Sequence, residues 1–430
     1  MLSTRRKFIF GSSGGLMALT LMNPIKLLAA SPKWPEPPAP ADASAGKGEK
    51  LPPLHAESEQ NSGGNSVPLP PEKRVGFAIV GLGRLSLEEL LPALSQCKMC
   101  KVTALVSGDP EKAKRVAKQY GVPESGLYSY KDFDRIKDNK DVQVIYIVLP
   151  NSMHKEFTLR SAKASKHVLC EKPMAMNAKE AEEMIAACKA ANVKLMIAYR
   201  QQYEPNNRWI QKLVREKTFG PVKLFEANNS QVQQGKSGGK QQWRHVKALA
   251  GGGALPDIGI YCLNGVRFLT GEEPYEVMAL EHTTPKDPRF KEVEETIAWM
   301  MRFPSGLVAL CASSYGGHQT KRYRFTAEQG WFGMEPAFAY RGLRNEVSYA
   351  MGAALEHKEN PSLPERNQFA LEMDHMADCV LNNKKPHSPG EEGWQDHRIM
   401  DAIYESARTG KPVKLERIDK LDAFRNSTIG

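Results

Sequence analysis

The chain of 430 residues is long enough for two domains, and its 41% hydrophobic and 25% charged residues are ordinary for a globular protein. The formal net charge is +10, but the Lys and Arg residues are scattered, not gathered into basic stretches interleaved with aromatic residues. We therefore expect the charge to aid solubility and to attract an anionic small molecule, and we expect no nucleic-acid partner.

The N-terminal segment carries Thr4-Arg5-Arg6-Lys7-Phe8, followed by an apolar stretch that continues to about residue 30. A twin arginine before such a stretch is typical of a signal read by the Tat export machinery, which exports folded proteins to the periplasm. Glycines, serines and Pro24 interrupt the stretch, so we predict no permanent membrane anchor. Residues 1–30 are predicted to be the signal peptide, with cleavage between 30 and 45.

Residues 31–74 are rich in Pro, Gly, Ser and charge and are too polar to pack a core of their own. The run Pro68-Leu69-Pro70-Pro71 should be extended. This proline-rich arm is either a plain tether or a segment that docks on another subunit near the nucleotide.

Strands and helices alternate over residues 75–198, beginning with the apolar strand Phe77 to Val80 and a glycine turn. Further strands are predicted at 102–106, 144–149, 167–170 and 194–198, with helices at 110–120, 153–164 and 178–191. Regular alternation predicts a doubly wound parallel sheet, a Rossmann domain. The turn residues that should meet a dinucleotide are Gly81, Leu82, Gly83, Arg84 and Leu85, just before a helix that begins near Ser86.

From Pro221 the pattern changes to consecutive strands, predicted at 222–232, 277–282, 296–303, 308–314 and 323–327. One helix interrupts them, from Pro256 to about Leu269, and two more helices close the chain at 365–381 and 391–408. This predicts an α+β domain of residues 199–430 with a mostly antiparallel sheet, whose C-terminal helices can pack back on the Rossmann domain.

Seven cysteines, an odd number, lie mostly in apolar surroundings and are predicted to be buried free thiols. Cys97 and Cys100 have the spacing of a redox motif, but they follow the end of a predicted helix, where a thiolate is not favoured. We therefore predict no metal site.

The end of the second strand indicates the nucleotide. NAD sites place an acidic side chain there to bind the ribose 2′-hydroxyl, whereas this chain has Ser107, followed by Lys112 and Arg115. A hydroxyl and cations suit a 2′-phosphate, so we predict NADP. Asn151 and His154 follow a later strand and either reach the cofactor or cap a helix.

Three residues suggest proton transfer. Lys172 lies at the end of a strand in Glu171-Lys172-Pro173, where it can point into the ligand crevice. Asp257 and Tyr261 are four residues apart and share a helix face, and a phenol beside a Lys can move the proton of a sugar hydroxyl.

Together, Gly81-Leu82-Gly83, Glu171-Lys172-Pro173, Gln242-Trp243-Arg244 and the run from Gly251 to Tyr261 resemble the glucose–fructose oxidoreductase branch of the Gfo/Idh/MocA family. The resemblance covers nearly all of residues 68–415 and implies a Rossmann domain plus an open-faced sheet domain, in a homo-oligomer that is a dimer or a tetramer. It implies tightly bound, non-dissociating NADP and oxidation of one sugar coupled to reduction of another.

The resemblance also implies catalytic roles for Lys172, Asp257 and Tyr261. It implies cofactor contacts at Ser107, Lys112, Tyr128, Pro150, Asn151, His154, Glu171, Lys172, Arg200, Trp243 and Arg244. The segments 201–205, 233–241 and 316–319 depart from the branch and are predicted to face the sugar, which leaves the sugar pair open.

Export implies a further expectation. A cofactor released in the periplasm would be lost after one turnover, so it should be loaded before export and restored in place by a second sugar, with ping-pong kinetics. The alternatives are a one-substrate NADP-dependent dehydrogenase or reductase, an NAD-dependent glycoside hydrolase of the same superfamily, and a non-catalytic cofactor-binding protein.

Overall fold

The computed structural model describes residues 68–237, 240–351, 355–416 and 418. The predicted signal peptide and the arm up to residue 67 lie outside these residues. Among the helices of the described part of the chain, none has the length and hydrophobicity that crossing a bilayer requires.

The first domain holds a parallel sheet with helices between its strands. Its strands are β1 (Val75–Val80), β2 (Cys100–Val106), β3 (Leu127–Tyr128), β4 (Val144–Ile147), β5 (His167–Glu171) and β6 (Leu195–Ala198). The helices are α1 (Leu91–Gln96), α2 (Pro110–Tyr120), α3 (His154–Lys163) and α4 (Ala178–Ala190). The strand order within the described residues is β3-β2-β1-β4-β5-β6, which confirms the predicted doubly wound sheet.

The helix predicted to begin near Ser86 starts there as a π-helical turn, Ser86–Leu90, before α1. The backbone N–H of Leu91 donates to Ser86 O, five residues back. Pro92 has no N–H to donate one turn back, so the usual α-helical bonding cannot pass through this point.

The second domain has a nine-stranded sheet. Its strands are β7 (Val222–Ser230), β10 (Glu276–His282), β11 (Thr296–Arg302), β12 (Val308–Ser314), β13 (Thr320–Ala327), β14 (Gly330–Met334), β15 (Asn345–Met351), β16 (Leu355–Glu359) and β17 (Val413–Lys414). The helices of this domain are α5 (Pro205–Arg215), α6 (Lys247–Ala250) and α7 (Ile260–Thr270). A separate two-stranded hairpin is formed by β8 (Lys236–Ser237) and β9 (Lys240–Gln241). The sequence analysis missed α5 although Trp209, Ile210, Leu213 and Val214 have helical spacing. It also missed α6, the hairpin and the strands β14 to β17, which are short or interrupted by glycines and polar residues.

The strand order of this sheet, within the described residues, is β16-β15-β14-β13-β7-β12-β11-β10-β17. All neighbours are antiparallel except β7 and β12, which pair in parallel with Leu224 opposite Val308. One face is buried, with Ile297, Trp299 and Met301 inside, as the alternation of β11 requires. Thus the mostly antiparallel second domain is also as predicted.

The last two helices contact the first domain. Helix α8 (Gln368–Leu381) places Phe369, Met373 and Met376 in one hydrophobic core with Phe77 and Ile79 of β1. Helix α9 (Gly390–Thr409) packs against α4 of the first domain and β10 of the second. The two sheets are therefore joined by helices from the end of the chain.

Candidate active site

The glycine turn after β1 has the geometry of a phosphate cradle. Gly81 has a φ of 100°, and a Cβ there would lie 2.3 Å from Val148 O, so the position requires glycine. A Cβ on Gly83 would meet nothing within 4 Å, which leaves space beside the backbone. Ser86, in the third position of the motif, is buried and donates to Gly81 O at 2.5 Å, so its hydroxyl closes the turn. These residues fit a dinucleotide pyrophosphate at the start of a helix.

The carboxylate near the end of β2, that of Asp109, has a hydrogen-bond partner within the protein. Asp109 accepts the backbone N–H of Lys112 at 3.0 Å and so caps α2, while its own N–H donates to Ser107 Oγ at 3.1 Å. Ser107 and Lys112 are both buried. The nearby acidic side chain is therefore part of a helix cap, and a hydroxyl occupies the position where NAD enzymes carry a carboxylate.

Three other predicted cofactor contacts have partners within the protein. Tyr128 OH accepts from Asn139 at 3.1 Å, and the Asn151 amide donates to Ala250 O at 2.8 Å. Both ring nitrogens of His154 lie 2.9 Å from backbone carbonyls, those of Pro173 and Leu149, and burial lowers the pKa of this imidazole. His154 thus ties together the loops after β4 and β5, and a contact with the cofactor stays a prediction.

The glycines from Gly251 to Gly253 let the backbone closely approach Glu294, in the segment just before β11. Gly251 has a φ of 80°, and a Cβ on Gly253 would lie 2.0 Å from Glu294 O. The Glu294 carboxylate accepts the N–H groups of Gly253 at 2.8 Å and Leu255 at 2.9 Å. It thereby caps the π-helical turn Leu255–Gly259, which precedes α7. This turn carries Asp257 toward the crevice.

Asp257 is the centre of a charged cluster. Lys172 Nζ donates to Asp257 O at 2.6 Å and lies 3.4 Å from Oδ1, while Arg244 Nε donates to Oδ2 at 2.9 Å. The buried Tyr315, at the end of β12, donates its hydroxyl to the same Oδ2 at 2.8 Å. Three donors from three distant segments therefore converge on one carboxylate.

Burial alone would raise the pKa of Asp257, but the charges of Arg244 and Lys172 and the hydrogen bond from Tyr315 outweigh it. They hold the pKa well below its ordinary value, so the carboxylate stays ionised near neutral pH. Burial and the Asp257 charge together raise the pKa of Tyr315 well above its usual range, so this phenol remains a donor. Asp257 is thus suited to hold cations in place.

Tyr261 lies among cations. The Lys172 ammonium is 4.8 Å and the Arg200 guanidinium carbon 4.7 Å from the centre of its ring. The Arg200 guanidinium carbon also lies 4.5 Å from the centre of the Tyr340 ring, and Arg200 Nη2 donates to Phe338 O at 2.9 Å. Two cations therefore lie against one phenol, and cations in such a position favour negative charge on the ring oxygen. Arg200, predicted as a cofactor contact, is placed by the structure between two phenols.

Trp243 and the segment 201–205, which departs from the branch, lie next to this cluster. The Arg244 guanidinium stacks on Trp243 at 4.5 Å. Gln201 and Gln202 are buried, and they donate to Tyr261 O at 3.2 Å and to Asn264 at 2.8 Å. This part of the segment 201–205 therefore packs behind α7, and its predicted contact with a sugar stays a prediction.

The sequence analysis missed Tyr315, Tyr340 and Gln368. Gln368 accepts from Arg200 Nη1 and donates to Tyr340 O at 2.6 Å. Tyr315 had a local signal, since it stands just before the departing segment 316–319 at the end of a strand. Tyr340 and Gln368 had none, because tertiary packing alone brings them to Arg200.

All seven cysteines are buried free thiols, as predicted. The sulfurs of Cys97 and Cys100 and a carboxylate oxygen of Asp374 lie within 4.8 Å of one another, a set of donors that could hold a metal. Both Asp374 oxygens accept the backbone N–H of Lys98, at 3.0 and 2.9 Å. Burial raises the pKa of Cys100 well above its usual range, so it is a thiol in this state. The cluster therefore holds the loop between α1 and β2.

A parallel sheet with a glycine turn, a mostly antiparallel second domain and a Lys–Asp–Tyr cluster to which both contribute are together typical of a two-domain nucleotide-dependent oxidoreductase. The family description "Oxidoreductase family, NAD-binding Rossmann fold" matches residues 75–199, and its "C-terminal alpha/beta domain" matches residues 211–415. The chain belongs to the Gfo/Idh/MocA oxidoreductase family, as the resemblance predicted.

Similar proteins of known activity include sugar-acting enzymes. A D-xylose 1-dehydrogenase [NADP(+)] of Haloarcula marismortui is 31% identical over 80% of this chain and 93% of its own length. A second D-xylose 1-dehydrogenase (NADP(+)), from Haloferax volcanii, is 28% identical over 79% of this chain and 99% of its own. The structure of an aldose-aldose oxidoreductase from Caulobacter crescentus, complexed with glycerol, is similar with a TM-score of 0.75 and 44% identity, over 80% of this chain and 100% of that chain.

Proposed function

We propose that this protein is an NADP-dependent sugar oxidoreductase that oxidises an aldose to its lactone and reduces a second sugar in the same pocket. The observation that carries the proposal is Tyr261, which lies between Lys172 and Arg200 while Asp257 holds Lys172. The 44% identity with an aldose-aldose oxidoreductase supports the substrate class.

In this proposal Tyr261 takes the proton from the sugar hydroxyl when the sugar is oxidised and returns it to the second sugar. Lys172 and Arg200 stabilise the negative charge that passes through the phenol oxygen. Bound NADP supplies the acceptor or donor of the hydride, and the turn at Gly81 and Gly83 would hold its pyrophosphate. Asp257 fixes the Lys172 ammonium and does not exchange protons.

NADP, not NAD, is supported by Ser107 at the end of β2, by the use of Asp109 as a helix cap, and by the NADP named for the two xylose dehydrogenases. A tightly held cofactor would follow from export by the twin-arginine route into the periplasm. A cofactor that stays bound requires two sugars to enter in turn, which gives ping-pong kinetics.

A homo-oligomer belongs to the same proposal. On the outer face of the second sheet Met278, Leu280, Met300 and Leu310 are exposed, and Leu280 is 67% accessible. An apolar sheet face of this kind suits a contact between copies of the chain. The arm, from about residue 46 to residue 74, would add a second contact near the partner's nucleotide, and trimming the chain to Val75 should then raise cofactor loss and lower the mass in solution.

The second candidate is a one-substrate dehydrogenase that releases its cofactor, favoured by the two curated xylose dehydrogenases. One experiment separates the two functions. The exported protein, purified without added nucleotide, is mixed with aldoses and its absorbance is followed for the reduced nicotinamide. A second sugar is then added.

A reduced-cofactor band that an aldose produces and a second sugar removes supports the proposal, and Tyr261→Phe, which should keep the cofactor, should show neither change. Turnover that starts only when free NADP is supplied favours the one-substrate enzyme. Acid release of the nucleotide from the same sample identifies it, and NAD as the main species would contradict the NADP assignment.

A further inference from the structure

Two buried carboxyl groups meet one phenol directly behind the catalytic Lys. The hydroxyl of Tyr146, on β4, lies 2.9 Å from Glu171 Oε1 and 3.1 Å from Glu372 Oε1. Tyr146 and Glu372 have no accessible surface and Glu171 is 7% exposed. A phenol has one proton and can donate it to one acceptor. If both carboxyl groups were ionised, one of these two short contacts would have no proton in it.

The surroundings of the two carboxyl groups differ. Burial raises the pKa of Glu171 too, but the charges of Lys172 and Arg200 oppose that shift, and Glu171 Oε2 accepts the backbone N–H of Lys172 at 3.2 Å. Glu372 Oε2 is fully buried and has no hydrogen-bond partner within the described residues. An ionised carboxylate in that position would leave a charged oxygen unsolvated. The extra proton therefore belongs on Glu372.

The charges around Glu372 agree with this assignment. Burial, and next the negative charge of Glu171, raise the pKa of Glu372 well above its ordinary value, while Tyr146 and Arg200 oppose the shift. Tyr203 also acts with Glu372, and burial raises the pKa of that phenol well above its usual range.

We propose that Glu372 is a neutral carboxylic acid whose O–H donates to Tyr146, that Tyr146 donates to Glu171, and that this chain keeps one negative charge, not two, behind Lys172 and Arg200. Glu372 is then a positioning residue, because a second carboxylate there would compete with Tyr261 for the Arg200 guanidinium. Its effect on catalysis rests on the proposed function, but its protonation state does not.

Whether Glu372→Gln raises or lowers the stability of the protein tests whether Glu372 is protonated. A neutral Glu372 must take up a proton on folding above its unfolded pKa of about 4.3, and this costs stability as the pH rises. Glu372→Gln keeps a donor to Tyr146 and needs no proton. At neutral pH the full-length variant should unfold at a higher urea concentration than the unaltered protein. The ratio of their unfolding constants should grow by up to about tenfold per pH unit above about pH 4.3.

Glu294 is the matched control, since it too is a buried Glu beside a Tyr hydroxyl, but it accepts the proton of that hydroxyl, from Tyr404 at 2.9 Å. Its oxygens also accept two backbone N–H groups, so an amide there must turn an N–H toward an N–H. Glu294→Gln should therefore lower the urea midpoint. A lower midpoint for Glu372→Gln as well would overturn the proposal.

Infrared spectra of the protein labelled with ¹³C-glutamate give a second readout that needs neither substrate nor activity. A carbonyl band of a protonated acid should be present at neutral pH, persist in Glu171→Gln and be lost in Glu372→Gln. A band that is lost in Glu171→Gln instead would place the proton on Glu171 and contradict the assignment. Because neither readout involves a sugar, failure of the proposed function would leave both results unchanged.

Discussion

The Asp257→Asn variant tests whether Asp257 holds cations in place or exchanges protons during the reaction. The substitution keeps the size of the side chain but removes the charge that binds Lys172 and Arg244. Lys172, Asp257 and Arg244 have side-chain exposures of 11%, 16% and 31%, so the cluster is largely but not fully shielded from water. The new amide N–H₂ must also turn toward a donor, because Oδ1 and Oδ2 both accept hydrogen bonds.

The magnitude follows from these contacts. Removing one partner of a fully buried ion pair costs about 3–5 kcal/mol, and the partial exposure of Arg244 lowers that figure. We expect Asp257→Asn to lose about 2–3 kcal/mol of unfolding free energy at neutral pH. Lys172 keeps its hydrogen bond to the Asp257 backbone oxygen but loses the negative charge beside its ammonium, so kcat should fall by about 10- to 100-fold. Tyr315→Phe, which removes one hydrogen bond from the same carboxylate, should cost about 1–2 kcal/mol.

The pH dependence has a definite sign. The folded protein holds the pKa of Asp257 below its unfolded value, which is about 3.9 for a free Asp. Its contribution to stability is therefore complete above that unfolded value and is lost as the pH falls toward the lower folded one. The difference in stability between Asp257→Asn and the unaltered protein should be constant above about pH 5 and shrink in acid.

Urea unfolding at several pH values and the pH profile of kcat measure these effects. Both limbs of the kcat profile should survive in Asp257→Asn, since an ionised Asp257 is not the group that titrates. Disappearance of one limb would identify Asp257 as the acid or base. A change in stability below about 0.5 kcal/mol would show that the cluster does not hold the fold.

Three further predictions address other parts of the molecule. Tyr261→Phe and Lys172→Ala should each lower turnover by about 10²–10⁴-fold, and a loss below about threefold would move the chemistry elsewhere. Tyr261→Phe should keep the unfolding midpoint, whereas Lys172→Ala should lower it, because the Asp257 carboxylate loses one of its cations. Ser107→Asp should weaken NADP retention through repulsion of the 2′-phosphate, and equal retention on acid release would contradict that reading. Burial lowers the pKa of His375, on α8, from 6.5 to about 4. Its contribution to the free energy of unfolding should therefore be complete above about pH 6.5 and fall by up to about 3 kcal/mol as the pH drops to about 4. In His375→Asn that slope should be reduced, and an unchanged urea-midpoint slope would refute the assignment.

Local sequence was enough to predict the parts of the site that follow strands or turns. The turn at Gly81 and the Lys172 position depend on residues next to one another, and the structure places them as that pattern indicates. The spacing of Asp257 and Tyr261 predicted a shared face but not their partners. Arg244 and Tyr315 decide the role of Asp257, and they reach it from a 3₁₀ turn 13 residues earlier and from a strand end 58 residues later.

The rest of the fold depends on contacts between distant segments, which single-sequence periodicity does not report. The parallel pairing of β7 with β12 inside a mostly antiparallel sheet has no local signal. The position of α8 on the first sheet also has no local signal, because the apolar stripe of this helix would suit any buried face.

The central position of β7 constrains the order in which the chain can fold during synthesis. Both neighbours of β7 in the sheet, β12 and β13, are made long after it, so a ribosome-bound chain exposes this strand while the intervening segments emerge. The first domain cannot complete its core until α8 has been synthesised, because Phe369 and Met373 of α8 cover the core around Phe77. The two sheets follow one another along the chain, yet neither is closed before nearly all of it is made. Chains that stop early would thus display apolar surface and depend on chaperones.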